Sequence, residues 1–395
     1  MPMWWEKREQ RPFQEKLQAK MAEAGIDALL LVKPENIYYA TGYASNFAYL
    51  TGEVGRSAAV VPASGKCGIV CGEFELNSAR ACKDVEVEAY PMWIYIEDYC
   101  KGRTKLDAKP DLNQTFRLAL GMLKLKPGAK LGIELPAMPH DKWVYLAEQV
   151  GADNLVDCTK LIAECMMIKT PWEIDVMREA ARIDDKVMNM VMASVEEGMT
   201  ETDIANMFQK FALAESKELT QIIQVHTIGA DFSPVLIYRH NPIKAGDILR
   251  LDGSTNLANY SSDIARTFAI GDSVLPERQH IFDVLNEAQR IAFDMIGPGV
   301  PYADVYNALM KYTSDRIPGY IRGHFGHSTG CARDAEMDPR ISNSSPGCFQ
   351  PNMIFCVEFP YYSSRNHCYN IEDEILITEN GIERLTFSNP SLFVK

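Results

Sequence analysis

The sequence predicts an α/β chain of two domains, an α/β domain over residues 1–165 and an α+β domain over residues 166–395. The chain has 395 residues, 47% hydrophobic and 24% charged, which is the composition of a globular protein large enough for two cores. Helix-like and strand-like segments alternate up to about residue 165. Beyond Lys169 the pattern changes to long helices and neighbouring antiparallel strands.

The first domain is predicted from hydrophobic periodicity and from the residues that interrupt it. Arg11–Ala24 has the spacing of an amphipathic helix, and Gly25 ends it. An aromatic-rich run at 90–99 is expected to serve mainly as core or interface. Further helices are predicted at 112–125 and 140–151, and strands at 28–32, 57–61, 68–71 and 130–134.

Helix-start signals open the second domain. Thr170 is a predicted N-cap, Pro171 follows as the first helical residue, and Glu173 completes a capping box ahead of a long helix to about Ser194. Thr200 repeats the signal for the next helix. We also predict a strand at 221–226, helices at 276–295 and 301–316, and a hairpin turn at Asn380-Gly381.

Two aspartates in the stretch 246–271 carry the strongest chemical signal. An alternating run leads to a predicted turn at 253–256 and a second run returns, so Asp252 and Asp263 are expected to face each other on two strands. Two buried carboxylates side by side are costly unless a cation lies between them, and a hard divalent ion fits. Alternatively both are ordinary turn-flanking residues, with Asp263 paired to Arg266.

Three residues downstream favour the metal site. His327 lies in a glycine-flanked segment, while Glu358 and Glu372 each lie in an apolar strand and repeat the pattern of the two aspartates. Four carboxylates and one imidazole make an oxygen-rich set that is able to hold two metal ions.

The order and spacing of these motifs resemble the creatinase/prolidase/methionine aminopeptidase family, the "pita-bread" metalloenzymes. The family motifs read roughly DxG, SDxTRTF, GHxxG, (V/I)E and IED, and five elements that match them approximately occur here in order. The resemblance implies a creatinase-like N-terminal α/β domain followed by a pita-bread catalytic domain, with two divalent ions of the Mn, Fe, Co or Zn class. It implies that the ligands are Asp252, Asp263, His327, Glu358 and Glu372, with Asp263 and Glu372 bridging the ions.

The same resemblance implies a homodimer. In this family the N-terminal domain of one subunit often overhangs the active site of the other, so Trp93 or Tyr95 would line a neighbour's pocket.

The chain departs from the peptidases of this family at three positions. At the positions of Val235 and Asp334, the peptidases of this family carry histidines that donate hydrogen bonds to the reacting carbonyl. Each such donor stabilises the transition state by about 3 kcal/mol. Asn370 replaces an arginine that is common in proline-directed members. We therefore expect Glu358 to act as proton shuttle, His324 as a replacement donor, and Asp334 as a base or as an anchor for a cationic group.

These departures lead us to expect a metal-dependent hydrolase that cleaves an amide or amidine C–N bond in a small substrate. Three alternatives stay open. One is a Xaa-Pro dipeptidase or aminopeptidase in which His226 or His240 supplies the missing imidazole. Another is a lyase similar to the dimethylsulfoniopropionate lyase of this superfamily, although that enzyme has Asp-x-Asp where this chain has Asp252-Gly253-Ser254. The third is a binding protein without activity, which the complete ligand set disfavours.

Charge and cysteine usage limit the partners and the compartment. The formal net charge of −13 argues against nucleic acid or an anionic membrane as the main partner and favours a small molecule or short peptide. The N-terminus has no apolar segment typical of a signal peptide, and no later apolar run is long enough to span a bilayer. A cytoplasmic location with ten reduced cysteines is therefore expected.

Overall fold

The computed structural model describes residues 3–231, 242–331 and 336–393. The chain divides into two compact units, one over Trp5–Met166 and one over Met167–Lys395 together with Met1–Trp4. None of the helices in these described ranges is long and apolar enough to cross a membrane.

The first unit contains a sheet with helices packed against it. Its helices are α1 (Arg11–Ala24), α2 (Pro34–Thr41), α3 (Asn46–Thr51), α4 (Leu76–Arg80), α5 (Asn113–Leu123), α6 (His140–Val150) and α7 (Thr159–Met167). Its strands are β1 (Ala28–Leu31), β2 (Ala58–Pro62), β3 (Cys67–Gly72), β4 (Val85–Tyr90), β5 (Leu131–Ile133) and β6 (Leu155–Asp157). They form one sheet in the order β4-β3-β2-β1-β5-β6 with parallel and antiparallel pairs. This arrangement confirms the predicted α/β class.

Helix α1 shows how local sequence sets an element of this unit. Phe13, Leu17 and Met21 recur every four residues and are all buried, so the helix covers the unit's core with one apolar stripe. The helix ends where Gly25 takes a left-handed conformation at φ 64°.

The second unit contains four long helices and a large antiparallel sheet in its described residues. The helices are α8 (Pro171–Ser194), α9 (Glu201–Glu215), α10 (Pro276–Met295) and α11 (Tyr302–Ser314). The strands are β7 (Leu219–Gln224), β8 (Thr227–Ile228), β9 (Ile248–Leu257), β10 (Tyr260–Ser261), β11 (Ile264–Ala269), β12 (His327–Ser328), β13 (Met337–Arg340), β14 (Ile354–Glu358), β15 (Tyr361–Ser363), β16 (His367–Tyr369), β17 (Glu372–Thr378) and β18 (Gly381–Arg384).

The main path of this sheet runs β10-β9-β11-β17-β14-β12-β13, with β7 and β8 paired to β9 and β18 paired to β17, while β15 and β16 form a separate two-stranded sheet. Helices cover one face of the large sheet. Val357 of β14 packs with α10 and α11 in the apolar core, and Thr255 of β9 donates to the carbonyl of Ala180 in α8. Because side chains alternate along a strand, the residues next to Val357 and Thr255 point to the opposite face.

The predicted start of α8 is confirmed in atomic detail. The Thr170 hydroxyl accepts from the Glu173 amide at 3.3 Å, and the Glu173 carboxylate accepts from the Thr170 amide at 2.7 Å. Pro171 occupies the first turn, where its missing N–H costs nothing. Thr200 and Asp203 form the same capping box at α9.

The hairpin that carries the two aspartates differs from the prediction. Strand β9 continues through the predicted turn to Leu257, and the chain reverses at Ala258 and Asn259, which have φ values of 50° and 62°. Two adjacent residues with positive φ are what a tight two-residue hairpin requires. The polar residues mistaken for a turn find partners inside the sheet: the Asn256 side-chain amide donates to the Ser261 hydroxyl at 2.6 Å.

Three further predictions can be compared with the structure. All ten cysteines are free thiols, as expected. The aromatic run is mixed, since Tyr90 is buried while Tyr95 is 70% exposed. The C-terminal hairpin exists, with Thr378 paired to Gly381, so its turn is centred on Glu379 and Asn380, one residue before the predicted pair.

Candidate metal centre

Three predicted ligands lie in one row across the sheet, on the face opposite the helices. Asp252 in β9 pairs with Ala265 in β11, Ala265 pairs with Glu372 in β17, and Glu372 pairs with Glu358 in β14. Residues directly opposite in antiparallel strands share a face, so Asp252, Glu372 and Glu358 project to the same side. Val357, the neighbour of Glu358, projects into the core instead.

Asp263 joins this row from its edge. It lies two residues before Ala265, just ahead of β11, and therefore near the same face as Asp252. The expectation that Asp252 and Asp263 face each other directly is wrong by two residues: they are diagonal neighbours. The turn at Ala258 and Asn259 sets this register, which pairs Asp252 with Ala265 rather than with Asp263.

His327 reaches the acids from β12. Its Nε2 lies 3.6 Å from Glu372 Oε1 and 3.8 Å from Asp263 Oδ2. Strand β12 pairs with β14 so that His327 lies opposite Cys356. Gly326 makes this approach possible, because a Cβ at that position, where φ is 144°, would overlap the carbonyl oxygen of Cys356.

The tightest group of potential ligand atoms contains a residue that the sequence reasoning missed. One side-chain atom each of Asp263, His327, Cys356 and Glu372 lies within 4.8 Å of the other three. Cys356 precedes Glu358 by two residues, so the alternation of β14 could have placed it on the same face. Its closeness to His327, however, depends on a strand pair that no local pattern reveals.

The electrostatics of these side chains call for a cation. Burial and the surrounding negative charges raise the pKa of Asp252 to about 6 and that of Glu372 to about 7, and they raise the pKa of Asp263 well above its usual range. Burial opposes the charged form of His327, but its interaction with Glu372 raises the pKa of His327 to about 9. Glu372 Oε1 is buried and accepts no hydrogen bond from the described residues. The donor set therefore fits divalent metal ions.

Cationic and imidazole side chains border the carboxylates. Arg322 Nη2 donates to Glu358 Oε1 at 2.7 Å, and Arg250 Nη1 lies 3.7 Å from Asp252 Oδ2. His324 Nδ1 lies 3.2 Å from the same Glu358 oxygen. Burial lowers the pKa of His324, which favours a neutral ring beside that carboxylate.

The remaining predicted residues divide into two groups. Asp334, Val235 and His240 lie outside the described residues. His226 is buried behind Asp252: its Nδ1 accepts from the Asp252 amide at 3.2 Å, and its Nε2 lies 3.1 Å from Gln224 Oε1. Burial lowers the pKa of His226 to about 3, so the neutral ring supports the strand that carries Asp252.

Asn370, which departs from the family pattern, also contacts the site. Its side-chain amide donates to Glu372 Oε2 at 3.0 Å, and its backbone amide donates to the Thr267 hydroxyl at 2.9 Å. Asn370 thus fixes one oxygen of Glu372, while the other lies 3.6 Å from His327 Nε2.

Comparisons with known proteins identify the family of this chain. The profile of metallopeptidase family M24 matches residues 175–379, and that of the creatinase/prolidase N-terminal domain matches residues 14–168. The chain is 26% identical over 384 residues to the uncharacterized peptidase YqhT of Bacillus subtilis (strain 168), covering 96% of this chain and 99% of the relative. It is also 26% identical over 373 residues to a Xaa-Pro dipeptidase of Pyrococcus horikoshii, covering 93% of this chain and 94% of the relative.

The fold is shared with a solved structure as well. The crystal structure of the prolidase from Pyrococcus horikoshii OT3 superposes with a TM-score of 0.79 at 22% identity, covering 97% of this chain and 100% of that one. The resemblance identified from the five motifs is thereby confirmed. The chain belongs to metallopeptidase family M24 and is a metal-dependent hydrolase.

Proposed function

We propose that this chain hydrolyses the peptide bond of dipeptides that carry a free C-terminal carboxylate, Xaa-Pro dipeptides among them. The observation that carries the proposal is the row of Asp252, Glu372 and Glu358 on one face of the sheet, with Asp263 and His327 beside it. Relatives named as peptidases, one of them a Xaa-Pro dipeptidase, support a peptide substrate. The expectation of an amidine or another non-peptide substrate is less well supported than this alternative.

The strand order suggests how two ions would share the five side chains. Strands β11 and β17 lie between β9 and β14, so Asp263 and Glu372 are central while Asp252 and Glu358 flank them. We therefore propose that Asp252, Asp263, His327, Glu358 and Glu372 would hold the ions, with Asp263 and Glu372 at the centre of the set. Ions of the Mn²⁺, Fe²⁺, Co²⁺ or Zn²⁺ class supply Lewis acidity and a water of lowered pKa when bound.

Glu358 is the proposed proton carrier. A carboxylate next to the reacting carbon can accept the proton of the attacking water and deliver it to the leaving amine. Arg322 donates to Glu358 Oε1 and so orients this carboxylate, while His324 Nδ1 lies 3.2 Å from the same oxygen without a hydrogen bond to it. Arg340 Nη1, a donor, lies 3.2 Å from His324 Nε2, which places the ring proton on Nδ1, the nitrogen nearer to Glu358. We propose that His324 acts through Glu358 rather than on the substrate directly.

Arg322 is the proposed anchor for the substrate's carboxylate. Its Nη2 donates to Glu358 Oε1, and its Nε donates to the His324 carbonyl at 3.1 Å. Within the described residues, its Nη1 donates no hydrogen bond. The Arg322 side chain is 23% exposed, whereas that of Arg250 is only 3% exposed. A guanidinium that is accessible and already oriented suits a carboxylate ligand.

The test is a peptide screen with the full chain. Protein stripped by a chelator would be reloaded separately with Mn²⁺, Co²⁺ or Zn²⁺ and given Ala-Pro, Gly-Pro and Ala-Ala, each as the free acid and as the C-terminal amide. We expect amino-acid release from free dipeptides only after metal is restored, with little release from the amides.

The contrary result would be a metal-loaded protein that cleaves none of these dipeptides while cleaving a small zwitterionic amidine. That outcome would return the protein to the non-peptide class. Formation of an unsaturated product from a substrate without a scissile amide would instead favour the lyase alternative.

We also propose that the protein is a cytoplasmic homodimer. Tyr95, with 70% of its surface exposed, is available for a contact between subunits. Light scattering of the purified chain would test this, and a monomeric mass across the working concentration range would contradict it.

A further inference from the structure

Cys356 occupies a position inside the ligand group that the family motifs do not include. It is fully buried in β14, between the core residues Phe355 and Val357, on the face that also presents Glu358. Its Sγ lies within 4.8 Å of the ligand atoms of Asp263, His327 and Glu372.

These separations suit one ion held by all four side chains. Zinc-class ions lie about 2.0–2.3 Å from nitrogen, oxygen and sulfur ligands, so two ligands of a tetrahedral ion are roughly 3.3–3.8 Å apart. A group whose members lie within 4.8 Å of one another needs to contract by at most about 1 Å around such an ion, which side-chain rotation can supply. Glu372 Oε1, a member of the group, is buried without a hydrogen-bond donor among the described residues, which is a second indication that a cation belongs there.

We propose that Cys356 Sγ is a direct metal ligand, together with His327, Asp263 and Glu372. The inference rests on the proposed metal-dependent function and adds to it a thiolate ligand. The two ion positions then differ in chemistry. The position at His327 has nitrogen, sulfur and oxygen donors, while the position at Asp252 has oxygen donors from the protein.

Metal preference follows from this difference. Thiolate is a soft ligand that favours Zn²⁺, Co²⁺ or Cd²⁺, whereas carboxylates alone suit Mn²⁺ and other hard ions. We therefore expect the position at His327 to prefer Zn²⁺ or Co²⁺ over Mn²⁺. The loss of Cys356 should weaken Zn²⁺ binding by more than the roughly 10- to 100-fold that losing an outer-shell partner costs.

The experiment uses Co²⁺ as a spectroscopic probe. The full chain would be stripped of metal and titrated with Co²⁺, while near-ultraviolet absorption and the bound cobalt are measured in parallel. A cobalt–thiolate bond gives an intense charge-transfer band in this region that oxygen and nitrogen ligands do not give. Cys356→Ser is the test variant, and Cys348→Ser, which removes a half-buried thiol of the same unit outside the ligand group, is the matched control.

We expect the band in the unmodified protein and in Cys348→Ser, and its loss in Cys356→Ser. Cobalt bound by the unmodified protein without the band would overturn the thiolate assignment and leave the proposed hydrolase intact. Persistence of the band in Cys356→Ser would likewise overturn it. A protein that binds no Co²⁺ at all would overturn both the assignment and the proposed function. If Cys356→Ser fails to fold, Cys356→Ala replaces it as the test variant, and absence of the band from the unmodified protein overturns the assignment in any case.

Discussion

Glu358 and Glu372 lie directly opposite each other across strands β14 and β17. Both are buried, and Cα atoms paired in this way are only about 4.5–5.5 Å apart. Glu358 has Arg322 as a counter-charge, while one oxygen of Glu372 has no hydrogen-bond donor among the described residues. The fold thus holds two acids together at a cost that a bound cation would remove.

Asp263→Ala should separate metal binding from folding. Removing one of several repelling buried acids should leave the metal-free protein at least as stable as the original, because the pKa of Asp263 is raised by burial and by Glu372. The variant should lose the stabilisation by metal that the original shows, which is about 3–4 kcal/mol at 100 to 1,000 times the dissociation constant. Thermal midpoints with and without Zn²⁺ would measure this.

The exposed Asp272, three residues beyond β11, provides the control for Asp263. Asp272→Ala should keep the full metal-dependent shift. If Asp263→Ala retains a full complement of metal by elemental analysis, Asp263 is not a ligand.

Two glycines of one loop make a matched pair for testing how His327 is placed. In Gly326→Ala the new Cβ would overlap the Cys356 carbonyl oxygen at a φ of 144°, so β12 should move away from β14 and carry His327 with it. We expect Zn²⁺ affinity to fall at least tenfold, about 1.4 kcal/mol. At Gly323 a Cβ would meet no atom within 4 Å, so Gly323→Ala should bind Zn²⁺ normally. Calorimetric titration of both variants checks the contrast, and equal affinities would contradict it.

The proposed carboxylate anchor predicts a selective effect on substrates. Arg322→Leu should raise KM for free dipeptides by about 10- to 100-fold, since a charged hydrogen bond contributes about 1.5–3 kcal/mol. It should change KM much less for the matching C-terminal amides, which have no carboxylate to bind. The exposed Arg316, beyond the end of α11, gives the control Arg316→Leu. An equal change for acids and amides would mean that Arg322 acts only by orienting Glu358.

Local sequence patterns predicted much of this fold. The capping box of Thr170 and Glu173 fixes the start of α8 because all its atoms lie within four residues. The turn of the β9 hairpin was misplaced because Ser254 and Asn256 are typical turn residues. Here their polar groups are satisfied by partners across the hairpin, including Ser261 and Ser262, which a turn signal does not reveal.

The sequence predicts those residues of the site that belong to short motifs in a fixed order along the chain. It does not predict the contacts between residues that are distant in sequence. The contact between Arg322 and Glu358 joins residues 36 positions apart, and the approach of Cys356 to His327 spans 29 positions. Both depend on which strands become neighbours, and periodicity gives the face of a strand but not its neighbour. Asp184 illustrates the same limit, since its partner Ser262 lies 78 positions along the chain.

Asp184 predicts a pH dependence of stability. This residue of α8 is fully buried: its Oδ2 accepts from the Ser262 hydroxyl at 2.7 Å, and its Oδ1 has no partner among the described residues. Burial raises the pKa of Asp184 to about 8, although Ser262 and Arg266 both act to lower it. In the unfolded chain the pKa of an aspartate is about 3.9.

Because the folded pKa is the higher one, the folded state binds the proton more tightly than the unfolded state. The resulting stabilisation is complete below about pH 4 and is lost as the pH rises towards 8. Asp184→Asn cannot ionise, so its thermal midpoint should fall less between pH 5 and pH 8 than that of the original protein, both measured metal-free. The two thermal midpoints should differ in this change by several degrees, which corresponds to a difference in the free energy of unfolding on the order of a few kcal/mol. Asp175 is exposed on the same helix, so the thermal midpoint of Asp175→Asn should change with pH as that of the original protein does. If the thermal midpoint of Asp184→Asn also changes with pH as the original does, Asp184 stays ionised in the folded state.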